Sequence, residues 1–258
     1  MAKKRNAGSV QRFYSEVKRK RYSRCRFSKE TEIWISSIQG FVGSHKCDIY
    51  ICGNGNTNMS ATIRLARQSD AAAIAAIYAP YCESTPVSFE TSAPSAEEVA
   101  ARIQNITEHW PWLVLEDGGS LAGYAYAGRH RERAAYRWAV DTAVYVHERY
   151  HRRGVGRALY TTLFSVLRDQ GYFKACAGIT MPNPGSVALH EAVGFTLVGV
   201  YRGIGFKHGS WHDVAWYQAE VQPETPNPPA PKSLDAVVDS QHWRDAVSRG
   251  VAHYRERL

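Results

Sequence analysis

The stretch RYHRRGVGRALY, residues 149–160, sets Arg152, Arg153 and Arg157 around Gly154 and Gly156, at the joint between a strand-like run and a helix-like run. The first turn of a helix leaves main-chain N–H groups without intrahelical partners, and that positive end attracts anions. Without a Cβ at Gly154 and Gly156, a bulky polyanion such as a pyrophosphate can approach the main chain of Gly154, Val155 and Gly156 within hydrogen-bond distance. The same residues also describe an ordinary loop with a solvated rim, so the loop alone does not choose between the two. Two other side chains carry proton chemistry. Asp141 lies on the strand-like run just upstream, and His190, in LHEAVGF, sits on a short amphipathic helix where an imidazole can gain or lose a proton near neutral pH. Taken singly, a strand-end carboxylate is more often paired with a nearby arginine, and a lone helical histidine is more often a core or rim residue.

The elements that must hold these residues follow in a readable order. From Met59, MSATIRLARQSDAAAIAAIYAPY reads as a short strand, an N-cap at Ser69 or Asp70 and an Ala-rich helix. SAEEVAARIQNI has capping-box spacing between Ser95 and Glu98 ahead of a second helix. WLVLED and LAGYAYAG read as strands of a hairpin turning at Asp117, Gly118 and Gly119, and AVDTAVYVH (139–147) as a further strand. A long helix ending at Gly171, the strand KACAGITM, a helix from about Gly185 to Val193, and two closing strands, TLVGVYRG and WHDVAWYQAEV, complete the set. Strand, helix and strand in turn imply a parallel crossover, hence an α/β (α+β) fold with a mixed central sheet flanked by helices.

Charge divides the chain. Residues 1–58 hold 12 Lys or Arg against 4 Asp or Glu, so the whole net charge of +8 lies there and the remainder is neutral. The expected organisation is a basic extension with little fixed structure over 1–58, a domain over 59–222, a proline-rich linker over 223–232 (PETPNPPAPK), and a tail over 233–258 that forms an exposed helix or stays disordered. The run KRKRYSRCR, residues 18–26, is compatible with nucleic-acid phosphate contacts, although a solvated leader is the stronger reading; elsewhere no nucleic-acid partner is expected. Five unevenly spaced cysteines argue against a disulfide framework, and no stretch reaches the roughly 20 apolar residues of a membrane span. A cytoplasmic, membrane-free protein follows.

The succession of elements, with Gly-x-Gly after the fourth strand, resembles the GNAT superfamily of acyl-CoA N-acetyltransferases, whose Gln/Arg-x-x-Gly-x-Gly/Ala loop cradles the pyrophosphate of acetyl-CoA. Here the first position is His151. HWPWLV, GYAYAG, AAYRW, VYVHERYHRRGVGRALY, LHEAVGF and GFKHGSWHDVAWYQ narrow the resemblance to the phosphinothricin and methionine-sulfoximine N-acetyltransferases. The resemblance implies acetyl-CoA as co-substrate, no metal and a homodimer. It puts Asp141 where those enzymes carry a catalytic Glu in WxxE, one methylene shorter and acting through a water. It gives His190 a place beside the thioester, Asn183 a cofactor contact, and Val144, Tyr145 and Val146 main-chain bonds to the pantetheine arm, for which a strand splayed open beside Val146 is the expected sign.

The acceptor, an amino acid with a carboxylate, calls for cations and a walled slot. Arg133, Arg137, Lys207 and His208 are the candidate cations, and Phe89 and Trp138 the candidate walls. Two alternatives stand beside the amino-acid acceptor: another small amine, or a module that binds acetyl-CoA without catalysis. An ordinary protein beginning at Met59 leads to the expectation that translation starts there; an intact mass of native protein near 28.9 kDa would refute it.

Overall fold

The structure, a computed structural model, describes residues 61–255. The expectations for the first 58 residues, the strand in IWISSIQGFVG and the basic run 18–26 among them, lie outside the described residues.

Seven strands form one sheet in the order β1-β2-β3-β4-β5-β7-β6. They are β1 (Thr62–Leu65), β2 (Trp112–Asp117), β3 (Ser120–Arg129), β4 (Ala139–Val146), β5 (Lys174–Met181), β6 (Phe195–Lys207) and β7 (Ser210–Glu220). Only β4 and β5 run parallel; every other pair is antiparallel. The helices are α1 (Ala71–Glu83), α2 (Ala96–Thr107), α3 (Val155–Gln170), α4 (Pro184–Ala192) and α5 (Gln241–Arg255).

Local chemistry sets the boundaries. Ser95 Oγ accepts from the Glu98 N–H while the Glu98 carboxylate accepts from the Ser95 N–H, the reciprocal cap that starts α2. Gly118 and Gly119 both have positive φ, which the two-residue turn between β2 and β3 requires. His208 and Gly209 do the same between β6 and β7. Strand β6 is longer than the sequence reading, because RGIGFK continues it past two irregularities in its pairing to β7.

The sheet is covered on both faces. One face packs α3 over Leu113, Leu115, Ala125, Val140, Ala175 and Ala177. The other packs α1 and α2 over Trp112, Val114 and Tyr124. No helix among the described residues is long and apolar enough to cross a membrane.

The region after 222 departs most from expectation. The linker makes no ladder, yet the Trp138 indole donates to the Pro229 carbonyl at 2.7 Å and the Lys232 N–H donates to the Gln170 carbonyl at 2.7 Å. The tail is neither exposed nor disordered: Leu234, Val237, Trp243 and Tyr254 are buried in the α3-side core. Apolar side chains on one face of α5 are the physical reason. Helix α5 runs antiparallel along α3, with Ala246 accepting from the Thr162 hydroxyl and Tyr254 donating to Asp117 at 2.8 Å. Gly250 permits the approach, since a Cβ there would stand 2.2 Å from Thr162 Oγ1 and 2.8 Å from the Ala158 carbonyl. Gly250→Val is therefore expected to lower unfolding free energy by about 1–3 kcal/mol, and Trp243→Ala by about 3–5 kcal/mol, in urea titrations monitored by circular dichroism.

Candidate active site

The site begins where a ladder stops. Strands β4 and β5 pair over Ala139↔Lys174, Val140↔Ala175 and Asp141↔Cys176, and no further, although they continue to Val146 and Met181. The Thr142 hydroxyl donates to the Cys176 carbonyl at 3.2 Å and closes the apex. On its other edge β4 remains paired to β3 as far as Val146, and the His147 N–H donates to Ala122. Alternation then turns the main-chain groups of Val144 and the N–H of Val146 into the gap. The Val146 carbonyl accepts from the Tyr81 hydroxyl at 2.7 Å and from His151 Nε2 at 3.0 Å, so the loop histidine ties the loop to the strand end. The side chain of Tyr145 points away, edge-on to Tyr78 and Tyr81.

The glycine loop opens toward the same end of β4. Gly154, with φ 86°, is the N-cap of α3, and Arg152 also has positive φ. Arg152, Arg153 and Arg157 are exposed, with Arg153 over the Tyr150 ring. The first-turn N–H groups of Val155, Gly156 and Arg157 lack intrahelical acceptors, as at any helix start. Gly156 also serves packing: a Cβ there would lie 2.6 Å from Leu189 Cδ2, where α3 meets α4. The Val155 side chain is core. Asn183 is the N-cap of α4, its Oδ1 accepting from the Ser186 N–H at 3.1 Å. Free main-chain groups along the gap, an anion-attracting helix start and three exposed arginines fit an extended amide arm that ends in a diphosphate.

Asp141 and His190 lie on opposite faces of β4. Asp141 is on the face of α1 and α2, its side chain 38 % exposed, with His130 Nδ1 2.7 Å from its Oδ1. Burial pushes its carboxyl above the usual range, against the pull of His130 and Arg131. The Cys176 thiol stands beside them, all three groups within 4.8 Å. The His130–Asp141 separation is that of a hydrogen bond, closer than the roughly 3.3 Å that two ligands sharing a tetrahedral ion keep. Burial and the Asp141 charge raise the thiol pKa to about 11.

Thr142 faces α3, where Tyr160 Oη lies 3.4 Å from it and 2.9 Å from His190 Nε2. His190 is 4 % exposed. Its Nδ1 is 2.7 Å from the Ser186 carbonyl, an acceptor, so the proton sits on Nδ1 and Nε2 accepts from Tyr160. Both ring nitrogens are thus engaged, and His190 reaches the gap through the Tyr160 hydroxyl rather than directly. Burial holds the His190 pKa below its usual value.

The family described as the Acetyltransferase (GNAT) domain matches residues 63–216. The chain belongs to the GNAT acetyltransferases. It is 42 % identical over 169 residues to the phosphinothricin N-acetyltransferase of Streptomyces viridochromogenes, covering 66 % of this chain and 91 % of that one. It is 32 % identical over 161 residues to the L-methionine sulfoximine/L-methionine sulfone acetyltransferase of Salmonella typhimurium, covering 62 % and 94 %. Among solved structures, the phosphinothricin acetyltransferase of Sinorhizobium meliloti in complex with acetyl-CoA superposes with a TM-score of 0.63 at 34 % identity, over 72 % of this chain and all of that one.

The candidate acceptor residues of this GNAT enzyme fall into two groups. Arg133, Arg137 and Trp138 precede β4; both arginines are exposed, and the Trp138 indole is bound to Pro229. Phe89, Lys207 and His208 lie at the far ends of β5, β6 and β7, where Thr180 Oγ1 donates to Val87 and the Phe89 ring covers Gly205. Lys207 is a correction. It is 5 % exposed, and its ammonium donates to the carbonyls of Cys82, Ser88 at 2.6 Å and Glu90 at 2.7 Å, which uses all three protons to pin the loop after α1. His208, exposed, forms the hairpin turn with Gly209.

Sequence reasoning missed His130, Tyr160 and an aromatic pocket lined by Tyr78, Trp112, Tyr124, Tyr126, Tyr145 and Arg102. No sequence spacing links His130 to Asp141; the register Gly128↔Asp141 does. The depressed His190 pKa has a stability consequence. Below about pH 6.5 the unfolded chain binds the proton more readily, so this contribution is present above that pH and lost as pH falls through the folded-state value. Urea titrations from pH 7.5 to 5 should show stability falling less in His190→Gln than in the unsubstituted acetyltransferase.

Proposed function

We propose that the chain transfers the acetyl group of acetyl-CoA to the α-amino group of a phosphinothricin- or methionine-sulfoximine-like amino acid. The observation that carries this reading is the gap between β4 and β5, which runs from Asp141 and Thr142 at its apex toward the open start of α3. Acetyl-CoA supplies the acetyl group as a thioester. The chain's own part is to hold and orient. Main-chain groups of Val144 and Val146 hold the arm, while the first turn of α3 with Arg152, Arg153 and Arg157 holds the diphosphate.

Asp141 serves the acceptor nitrogen from one face of β4. On the other face Tyr160, 3.4 Å from Thr142 and 2.9 Å from His190, serves the leaving sulfur by turning toward it the one proton that it otherwise gives to His190 Nε2. Burial raises the Tyr160 pKa, so the hydroxyl keeps its proton. Arg133 and Arg137, which precede β4, supply cations for the acceptor carboxylate. The named relatives act on amino acids of this kind, and the identities above support the same acceptor class here.

The test is CoA release with L-phosphinothricin, L-methionine sulfoximine and simple amines. Turnover with the first two and a fall of about 10²–10³-fold in kcat/KM for Asp141→Asn, at unchanged acetyl-CoA affinity by calorimetry, is expected. Turnover of other amines alone would move the acceptor class. Acetyl-CoA binding with no turnover would leave a binding module.

The active form is proposed to be a homodimer in the cytoplasm, where the buried thiols of Cys82 and Cys176 stay reduced. Edge strand β6 and its partner β7 expose Val198, Ile204, Phe206 and Trp211, an apolar surface suited to a second copy. Light scattering should give twice 28.9 kDa, and Val198→Asp with Phe206→Asp should give the monomer mass.

A further inference from the structure

We infer that the base for the acceptor amine is a His130–Asp141 dyad, in which the imidazole Nε2 of His130 takes the proton and Asp141 orients the ring. This rests on the acyl-transfer reading above and assigns a residue that it leaves unused. Three observations carry it.

The first is the hydrogen bond of 2.7 Å between His130 Nδ1 and Asp141 Oδ1. An ionised carboxylate only accepts, so Nδ1 carries the proton and Nε2 keeps a lone pair. Among the described residues Nε2 has no hydrogen-bond partner. The second is reach. Asp141 points from a paired position of β4, one methylene short of a glutamate, and its hydrogen-bonded oxygen is turned toward the ring instead of the gap. His130 follows Arg129, the partner of Val140, so the imidazole carries the proton-accepting edge from Asp141 to the β3 side of the closed end of the gap, which is where the acceptor amine must approach. The third is the wall around the ring. Tyr136 packs edge-on at 5.8 Å, and the His130 side chain is only 17 % exposed, so the ring is held in place with one edge open. The groups facing the dyad are Cys176 from β5, Tyr126 from β3, and Arg131 and Tyr136 from the segment between β3 and β4.

The protons balance as follows. One proton leaves the acceptor ammonium for Nε2 and passes from there to water. The nitrogen–carbon bond forms and the carbon–sulfur bond breaks. The second nitrogen proton ends on the departing thiolate. An imidazole nitrogen with a free lone pair suits the first transfer, since a carboxylate is a weak base toward an ammonium.

The experiment compares the full chain with His130→Phe, His130→Gln and His130→Phe/Asp141→Glu, using L-phosphinothricin and L-methionine sulfoximine from pH 5.5 to 9.5. His130→Phe and His130→Gln should each lose about 10²–10³-fold in kcat/KM at pH 7 and lose the ionisation on the acid limb, with KM for acetyl-CoA and melting temperature unchanged. The deficit should shrink at pH 9.5, where free amine is present without a base. The double variant should regain at least about tenfold over His130→Phe, because the longer carboxylate then reaches the amine alone. A His130→Gln rate near that of the unsubstituted enzyme, or an unchanged acid limb in His130→Phe, would overturn the dyad and leave His130 as a structural brace. Nitrogen-15 spectra of the imidazole separate this from the broader reading: an Nδ1–H tautomer that is lost in Asp141→Asn supports the dyad, and an Nε2–H tautomer refutes it, whether or not any amine is acetylated. No turnover of any amine by the unsubstituted chain would instead fail the acyl-transfer reading.

Discussion

The candidate site depends on a pairing that is abandoned. After Asp141 and Cys176 the two parallel strands part, and the Thr142 hydroxyl takes the Cys176 carbonyl that the ladder would otherwise have continued from. Unpaired main-chain groups in a sheet interior are costly unless something satisfies them, so the opening is held apart by its surroundings. Strand β4 is anchored to β3 through Val146, and β5 to β7 through Met181. Each strand is thus fully paired on its outer edge, and only the shared inner edge is free to meet a ligand.

That geometry also divides the chemistry. Successive residues of a strand point to opposite faces, so Asp141 and Thr142 deliver different equipment to the two sides of one opening. On one side are Asp141, His130 and Cys176. On the other are Thr142, Tyr160 and His190. Neither set has to compete with the other for space, and each is backed by its own helical layer. The two histidines differ accordingly: His190 is enclosed with both nitrogens engaged, whereas His130 has one nitrogen bound and one edge open.

Much of the fold was legible because its signals are local. The Ser95–Glu98 cap, the Gly118–Gly119 turn and the αL Gly171 that ends α3 each act within a few residues, and the residues themselves announce them. The opening beside Val146 was also foreseeable, though from resemblance and not from periodicity. What could not be read depends on contacts distant in sequence. Lys207 looks like a surface cation until the loop after α1 brings three carbonyls to it. The contact of Gly156 with Leu189 likewise joins residues far apart in sequence. His130 meets Asp141 only through the register of β3 on β4. The tail is helical, one of the two forms expected of it, but its burial was not legible for the same reason: a proline-rich spacer usually ends a domain, and here it returns a helix to the core.

That return has a consequence for how the molecule comes into being. Tyr254, Trp243, Val237 and Leu234 belong to the same apolar cluster as Ile63 and Leu113, and Gly250 stands against the Ile63 side chain. Until α5 docks, the folding chain therefore leaves one side of α3 and the Ile63 side chain uncovered. During that interval the α3 surface that α5 will occupy is bare, and contacts so distant along the chain close slowly. Folding of this enzyme is in that respect less forgiving than that of a domain closed near residue 222, since its core is complete only once residues 241–255 have docked.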